Sequence, residues 1–269
     1  MARSYFTEAV VLGSHKLGDA DRVVTLFTSA RGKVPTVVKG VRKVKSRFGG
    51  RLEPFTHLQA QLHEGRNLHT LTGADTIRTR SAVRDTSVAL KAGLAFIDML
   101  GRTTPDFERR PRSFNLLVNY LDELEAACRR SQAVVSGAVL KETGAPDYRS
   151  AADGETEFPA ITLIALGAEL KLLLLAGFLP HLADCAACGA DGDLPRFSAQ
   201  AGGALCENCA GQSFRVKAQT LEAMRRLLEA PLSGAAGIKM DRQTAGEVWR
   251  GIREICRYHL GTDLKVEPW

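Results

Sequence analysis

Arg22-Val23-Val24-Thr25-Leu26-Phe27-Thr28-Ser29-Ala30-Arg31-Gly32-Lys33-Val34-Pro35-Thr36-Val37-Val38-Lys39-Gly40 sets two β-rich segments on either side of four turn-prone residues. β-Branched and aromatic side chains suit a pleated, half-buried surface, and Ser29-Ala30-Arg31-Gly32 reads as a hairpin turn. Phe6 to Ser14 stands before this pair, and Pro54 to His63 and Leu68 to Ile77 follow it. In the fourth segment Leu58, Ala60 and Leu62 alternate with polar neighbours, as in a strand with one buried face. Five short antiparallel strands between Tyr5 and Ile77 suffice to close a small barrel. The OB-fold is the common five-stranded solution that leaves a face open for oligonucleotides, and an SH3-like barrel is its main rival.

Beyond Ile77 the pattern changes to apolar residues recurring at three and four, the period of a helix. Such stretches run from about Ala82 to Leu100, Phe114 to Leu124, Ile161 to Leu175 and Leu221 to Leu228. The clearest stretch comes after these: Ala245, Val248, Trp249, Ile252, Ile255, Cys256, His259 and Leu260 mark one face of a helix that Asp241 can cap and Gly261 can stop. The class is therefore α+β and multidomain. An OB-fold barrel over 1–80 is followed by an all-α domain over 81–269, into which a four-cysteine, zinc-ribbon-like element is inserted at 183–214. No secretory leader is visible, since the apolar run Ala9 to Leu12 is short and follows Glu8. Ile161 to Pro180 carries Glu169 and Lys171 near its middle, so it reads as a buried core helix and not a membrane span. A cytoplasmic protein is expected.

Charge is distributed unevenly. Residues 1–80 hold 14 Lys and Arg against 6 Asp and Glu, while the rest of the chain holds 22 against 24. A segment with that excess favours polyanions. Its densest part is Lys39-Gly40-Val41-Arg42-Lys43-Val44-Lys45-Ser46-Arg47-Phe48-Gly49-Gly50-Arg51, with six cations and no acid before Glu53; Lys33 precedes it. We assign nucleic-acid binding to Lys33, Lys39, Arg42, Lys43, Lys45, Arg47, Phe48 and Arg51, the bland alternative being a solvated loop. With aromatics at 6% of residues, phosphate charge should lead and base stacking should contribute little. Arg109, Arg110, Arg112, Arg129, Arg130, Arg250, Arg253 and Arg257 can extend the footprint, but arginines on amphipathic helices are commonplace.

The sharpest motif is Cys185-Ala186-Ala187-Cys188, then seventeen residues, then Cys206-Glu207-Asn208-Cys209. Two such knuckles close a tetrahedral four-sulfur site of the kind Zn²⁺ fills in structural roles, with no position left for water or substrate. One structural zinc per chain on Cys185, Cys188, Cys206 and Cys209 is expected; a dithiol redox pair or free core cysteines are the alternatives. Gly189 and Gly211 suit the turns after each pair. His57, His63 and His69 fall six apart, but Gly65 breaks the register, so no histidine metal site is expected. Phosphate-loop, dinucleotide-binding, nucleophile-elbow and zinc-protease signatures are not found, and no catalysis is expected.

Several of these residues together resemble the N-terminal barrel of the bacterial RecO family of DNA repair proteins. They are Ala9-Val10-Val11-Leu12, Asp19-Ala20-Asp21-Arg22, Leu26-Phe27-Thr28, Gly32-Lys33, Val38-Lys39-Gly40-Val41-Arg42, Ser46-Arg47 and Leu52-Glu53-Pro54-Phe55. Gly177-Phe178-Leu179-Pro180-His181-Leu182, followed by Cys185, Cys188 and Gly189, is similar to the helix end and first knuckle of the members that keep a metal. The resemblance implies a non-enzymatic recombination mediator, monomeric and nucleoid-associated. It would bind single- and double-stranded DNA, anneal complementary strands, and work with RecR to load RecA onto DNA coated by single-strand-binding protein. Leu166 and Gly167 stand where many members carry basic residues, so no residue is assigned to the acidic tail of that protein. The competing readings are an RNA-binding or transcription-associated factor and a scaffold whose charged loop holds an acidic protein tail.

Overall fold

A computed structural model describes residues 3–41, 48–139 and 160–261. The chain divides into two compact units. The first is Met1–Ser81 with Leu100–Leu121, and the second is Ala82–Met99 with Asp122–Trp269.

The first unit is built on five strands: β1 (Ser4–Leu17), β2 (Asp21–Thr28), β3 (Gly32–Val38), β4 (His57–His63) and β5 (His69–Arg78). They close into a barrel in the order β1-β2-β3-β5-β4. All pairings are antiparallel except β3 with β5, which run parallel through Thr36–His69 and Val37–Thr70. This is the OB-fold that the strand pattern predicts. Closure depends on β1, which pairs with β4 through Ser4–Val10 and with β2 through Ala9–Leu17. A bulge between Val11 and Gly13 bends the strand so that it serves both neighbours. Pro35 is tolerated in β3 because it precedes the residues that pair with β5.

Side-chain alternation places Ala9, Val11, Val24, Leu26, Val34, Val38, Leu58, Ala60, Leu62 and Leu71 inside the barrel. Their neighbours along each strand point outward. The hairpin turn ends at Gly32, whose φ of 63° is left-handed and whose Cα faces the carbonyl of Glu108 so closely that an added Cβ would lie 1.9 Å from that oxygen. Glycine is therefore required for both reasons. Residues 100–121 pack on the same unit. Lys33 Nζ donates to the Gly101 carbonyl at 2.6 Å, and the Phe107 amide donates to the Lys33 carbonyl at 2.8 Å. Arg80 is 1% exposed and donates to the carbonyls of Phe55 (3.1 Å) and Val118 (3.4 Å).

The helices are α1 (Ser81–Asp85), α2 (Ser87–Thr103), α3 (Pro111–Val139), α4 (Ala160–Ala176), α5 (Ala218–Glu229), α6 (Leu232–Ala235) and α7 (Arg242–Leu260). In the second unit α4 is the axis: twelve of its residues are buried, as its apolar composition on every side requires. Gly167 lets α4 approach α5 and α6, with Leu227 and Ala235 at 3.5 and 3.6 Å from the position of a Cβ. Glu125 of α3 accepts the Val83 amide at 3.1 Å and pairs with Arg129. Asp241 caps α7 by accepting the Thr244 amide at 2.6 Å, and Gly261 ends it at φ 62°, as the sequence predicts. No helix among the described residues is long and apolar enough to cross a membrane.

Candidate nucleic-acid interface and metal centre

The barrel core takes the apolar side of every strand, so the unit's cations must lie on its exterior or at its ends. Lys39 is exposed just after β3, where Gly40, at φ 65°, donates its amide to Asp21 Oδ1 at 2.7 Å and turns the chain. Arg51 is exposed on a single 3-10 turn, Gly49–Leu52, and its Nη1 donates to the Ala74 carbonyl at 3.2 Å. Arg42, Lys43, Lys45 and Arg47, which the sequence assigns to the interface, lie outside the described residues. Lys39 and Arg51 thus flank the cationic segment at its two ends.

Two assigned residues have other work. Phe48, 3% exposed, belongs to the barrel core beside Leu52 and offers no face to a base. Its neighbours in sequence are cations and glycines, so the only apolar ring in the run goes where apolar area is removed from water. Lys33 is held between the Gly101 carbonyl and Asp106 (3.2 Å), and serves the packing of residues 100–121.

Sequence reasoning missed that residues 100–121 join the barrel, because no local period announces a long-range contact. The loop between α2 and α3 brings Phe107 and Arg109, and the first turn of α3 brings Arg112, into the first unit, all three exposed. The Phe107 ring lies 5.1 Å from that of His69. His69 Nδ1 is 3.0 Å from the Tyr5 hydroxyl, and the Arg31 guanidinium lies 4.5 Å over the Tyr5 ring while also pairing with Glu64. Burial, and then the Arg31 charge, hold His69 below the usual histidine range, so its ring is neutral at neutral pH. The other two histidines are placed apart from it, His63 against Ser4 and His57 against Glu8.

The metal centre lies in the second unit, on a three-stranded sheet formed by β6 (Arg196–Ser198), β7 (Gly203–Leu205) and β8 (Phe214–Arg215), ordered β7-β6-β8. Phe197 and Phe214 pack ring to ring on this sheet, 5.6 Å between centroids. Gly189 and Gly211 take positive φ after each knuckle, 70° and 32°. The sulfurs of Cys185, Cys188, Cys206 and Cys209 all lie within 4.8 Å of one another, and among the described residues this is the one such group. A tetrahedron with metal–sulfur bonds of about 2.3 Å has an edge of about 3.8 Å, and Cys188 Sγ and Cys206 Sγ stand 3.8 Å apart.

Hydrogen bonds set the sulfurs' proton affinities. The Cys206 amide points at Cys185 Sγ at 3.4 Å and draws that thiol down to about 6. Cys209 is pushed up to about 12 by its hydrogen bonds to the Cys188 and Cys206 sulfurs. Four thiolates cannot share so small a space without a cation, and the donor set fits a divalent one that accepts soft ligands. Glu207, inside the second knuckle, accepts from Arg196 of β6 and Arg215 of β8. Arg196 chiefly holds its carboxyl below the usual carboxylate range.

Comparison with known proteins matches residues 1–80 to the family model "Recombination protein O N terminal" and residues 155–268 to "Recombination protein O C terminal". The chain is 35% identical over 265 residues to a DNA repair protein RecO of Rubrobacter xylanophilus, covering 95% of this chain and 90% of that protein. It is 34% identical over 263 residues to one of Anaeromyxobacter dehalogenans, covering 95% and 91%.

Proposed function

This chain belongs to the RecO family of DNA repair proteins, and we propose that within a recombination mediator role it binds single- and double-stranded DNA through its first unit and anneals complementary strands. The observation that carries the proposal is the excess of eight cations in residues 1–80 on a closed barrel whose interior is filled by apolar side chains. Two strands repel each other through their phosphates. Lys39 and Arg51, with Arg42, Lys43, Lys45 and Arg47 between them in sequence, neutralise several phosphates at once and lower the barrier to pairing. Phe48 is in the core, so the segment grips the backbone and leaves the base edges free to meet a complement.

The remaining steps follow the family. The protein works with RecR to help RecA onto DNA coated by single-strand-binding protein, as a monomer in the bacterial cytoplasm and without turning over a substrate. The metal is zinc, one per chain, on Cys185, Cys188, Cys206 and Cys209. Bound there, the ion would be held by these four thiolates and would tie the two knuckles together, a structural role that a full set of four protein ligands implies. Arg196 and Arg215 hold Glu207, and with it the second knuckle, against the sheet.

The test is binding of an unstructured oligonucleotide as salt is varied. Each phosphate contact on a single strand contributes a slope of about −0.7 in log affinity against log salt. Reversing Lys39, Arg42 and Lys45 to Glu should make the slope shallower by about 2 and abolish annealing with no change in melting temperature. Unchanged affinity and annealing in that variant would overturn the proposal.

A further inference from the structure

We propose that Phe107, flanked by Arg109 and Arg112, is a stacking platform for a base of single-stranded nucleic acid at the hairpin end of the barrel unit. This rests on the reading that the first unit binds DNA. Proteins that hold single strands combine a cationic track with rings on which bases stack. Most rings of this unit are in its core: Phe27, Phe48, Phe55 and Tyr120 are 3% exposed or less. Phe6 and Phe107 are the large aromatic side chains of the first unit that stand exposed, at 68% and 38%. Phe6 faces Gln61 across the β1–β4 pairing, with Glu8 two residues along and opposite Gln59. Its neighbours on that face of the pairing are Glu8 and Gln59 on one side and Ser4 and His63 on the other, without an arginine or lysine among them. Phe107 stands between Asp106 and Glu108, which pair with Lys33 (3.2 Å) and Arg110 (2.5 Å), and is followed at two and five residues by exposed Arg109 and Arg112, whose charges suit the phosphates flanking a stacked base.

The ring is also held in place. Its residue takes φ 61°, a left-handed conformation that is strained for an aromatic residue and persists only where the surroundings enforce it. The surroundings here are the Phe107 amide on the Lys33 carbonyl, the close approach of Gly32 to Glu108, and the neutral His69 ring on one side. Behind His69 the Tyr5 ring meets it edge-on at 85°, and the Arg31 guanidinium lies over the Tyr5 ring. A strained backbone that keeps an apolar ring partly in water is pre-set for something that covers it.

The test compares a short thymidine strand with an abasic strand of the same length, in the full chain. Phe107→Leu keeps the apolar contact with His69 and removes the π face. It should weaken the thymidine strand by roughly tenfold and leave the abasic strand unaffected, and Phe107→Tyr should restore the difference. Reversing Arg109 and Arg112 to Glu should weaken both strands and make the salt slope shallower by about 1.4. An unchanged preference for bases in Phe107→Leu overturns the proposal while leaving DNA binding by the unit intact. So does equal weakening of both strands with a lowered melting temperature, which would make the ring a structural peg. Wild-type protein that binds neither strand at low salt overturns the DNA reading itself, and this inference with it.

Discussion

Lys33 Nζ reaches the main-chain carbonyl of Gly101 across 2.6 Å, so a cation at the start of β3 is spent on the end of α2. With Asp106 at 3.2 Å completing its contacts and only 19% of its side chain exposed, it behaves as a structural residue inside a cationic neighbourhood.

Lys33→Ala should therefore cost stability and not affinity. The lost charge-assisted hydrogen bond is worth about 1.5 to 3 kcal/mol, read as a lower denaturant midpoint with unchanged slope. The salt dependence of DNA binding should match the wild type. A shallower salt slope at equal stability would mean that Lys33 meets phosphate.

Glu169 is 1% exposed in α4, with no hydrogen-bond partner for Oε2, and burial raises its carboxyl to about 8 from an ordinary 4.5. A folded-state value above the unfolded one means the stabilising contribution is complete below about 4.5 and is lost as pH climbs toward 8. Glu169→Gln removes that dependence. At about 1.4 kcal/mol for each tenfold in proton affinity, the variant should gain up to roughly 3 kcal/mol over the wild type at neutral pH and little in mild acid. Unfolding at a series of pH values checks this, and a wild-type-to-variant difference that stays flat across the window counts against it.

The four sulfurs should bind one equivalent of zinc, and cobalt in its place should show the thiolate charge-transfer bands of a tetrahedral site. Cys209→Ser should drop metal content well below one per chain and open residues 183–214 to proteolysis. Because the ligands must be deprotonated, the wild type should release metal as pH falls. Full metal retention in the variant would exclude a four-sulfur site.

The strands were legible because a half-buried strand writes its burial into alternate positions, as Leu58, Ala60 and Leu62 do. The knuckles were legible because a tetrahedral ion fixes ligand spacing. Phe48 was misplaced for a physical reason: a lone ring in a cationic loop carries no mark of which way it faces, and only the closed barrel shows the space it fills. Lys33 was misplaced likewise, since its partners Gly101 and Asp106 lie far along the chain. The same distance hid Phe107; Arg109 and Arg112 were named as able to extend the footprint, but nothing local placed them on the barrel unit.

The discontinuous make-up of the first unit bears on how the protein is born. A ribosome that has delivered the five strands has not yet delivered the acceptor for Lys33 at Gly101, the loop that seats on Gly32, or the Val118 carbonyl that Arg80 needs. The nascent barrel must wait for residue 121 before its last polar groups are satisfied, so a fragment cut after the fifth strand should emerge as a looser, chaperone-dependent species.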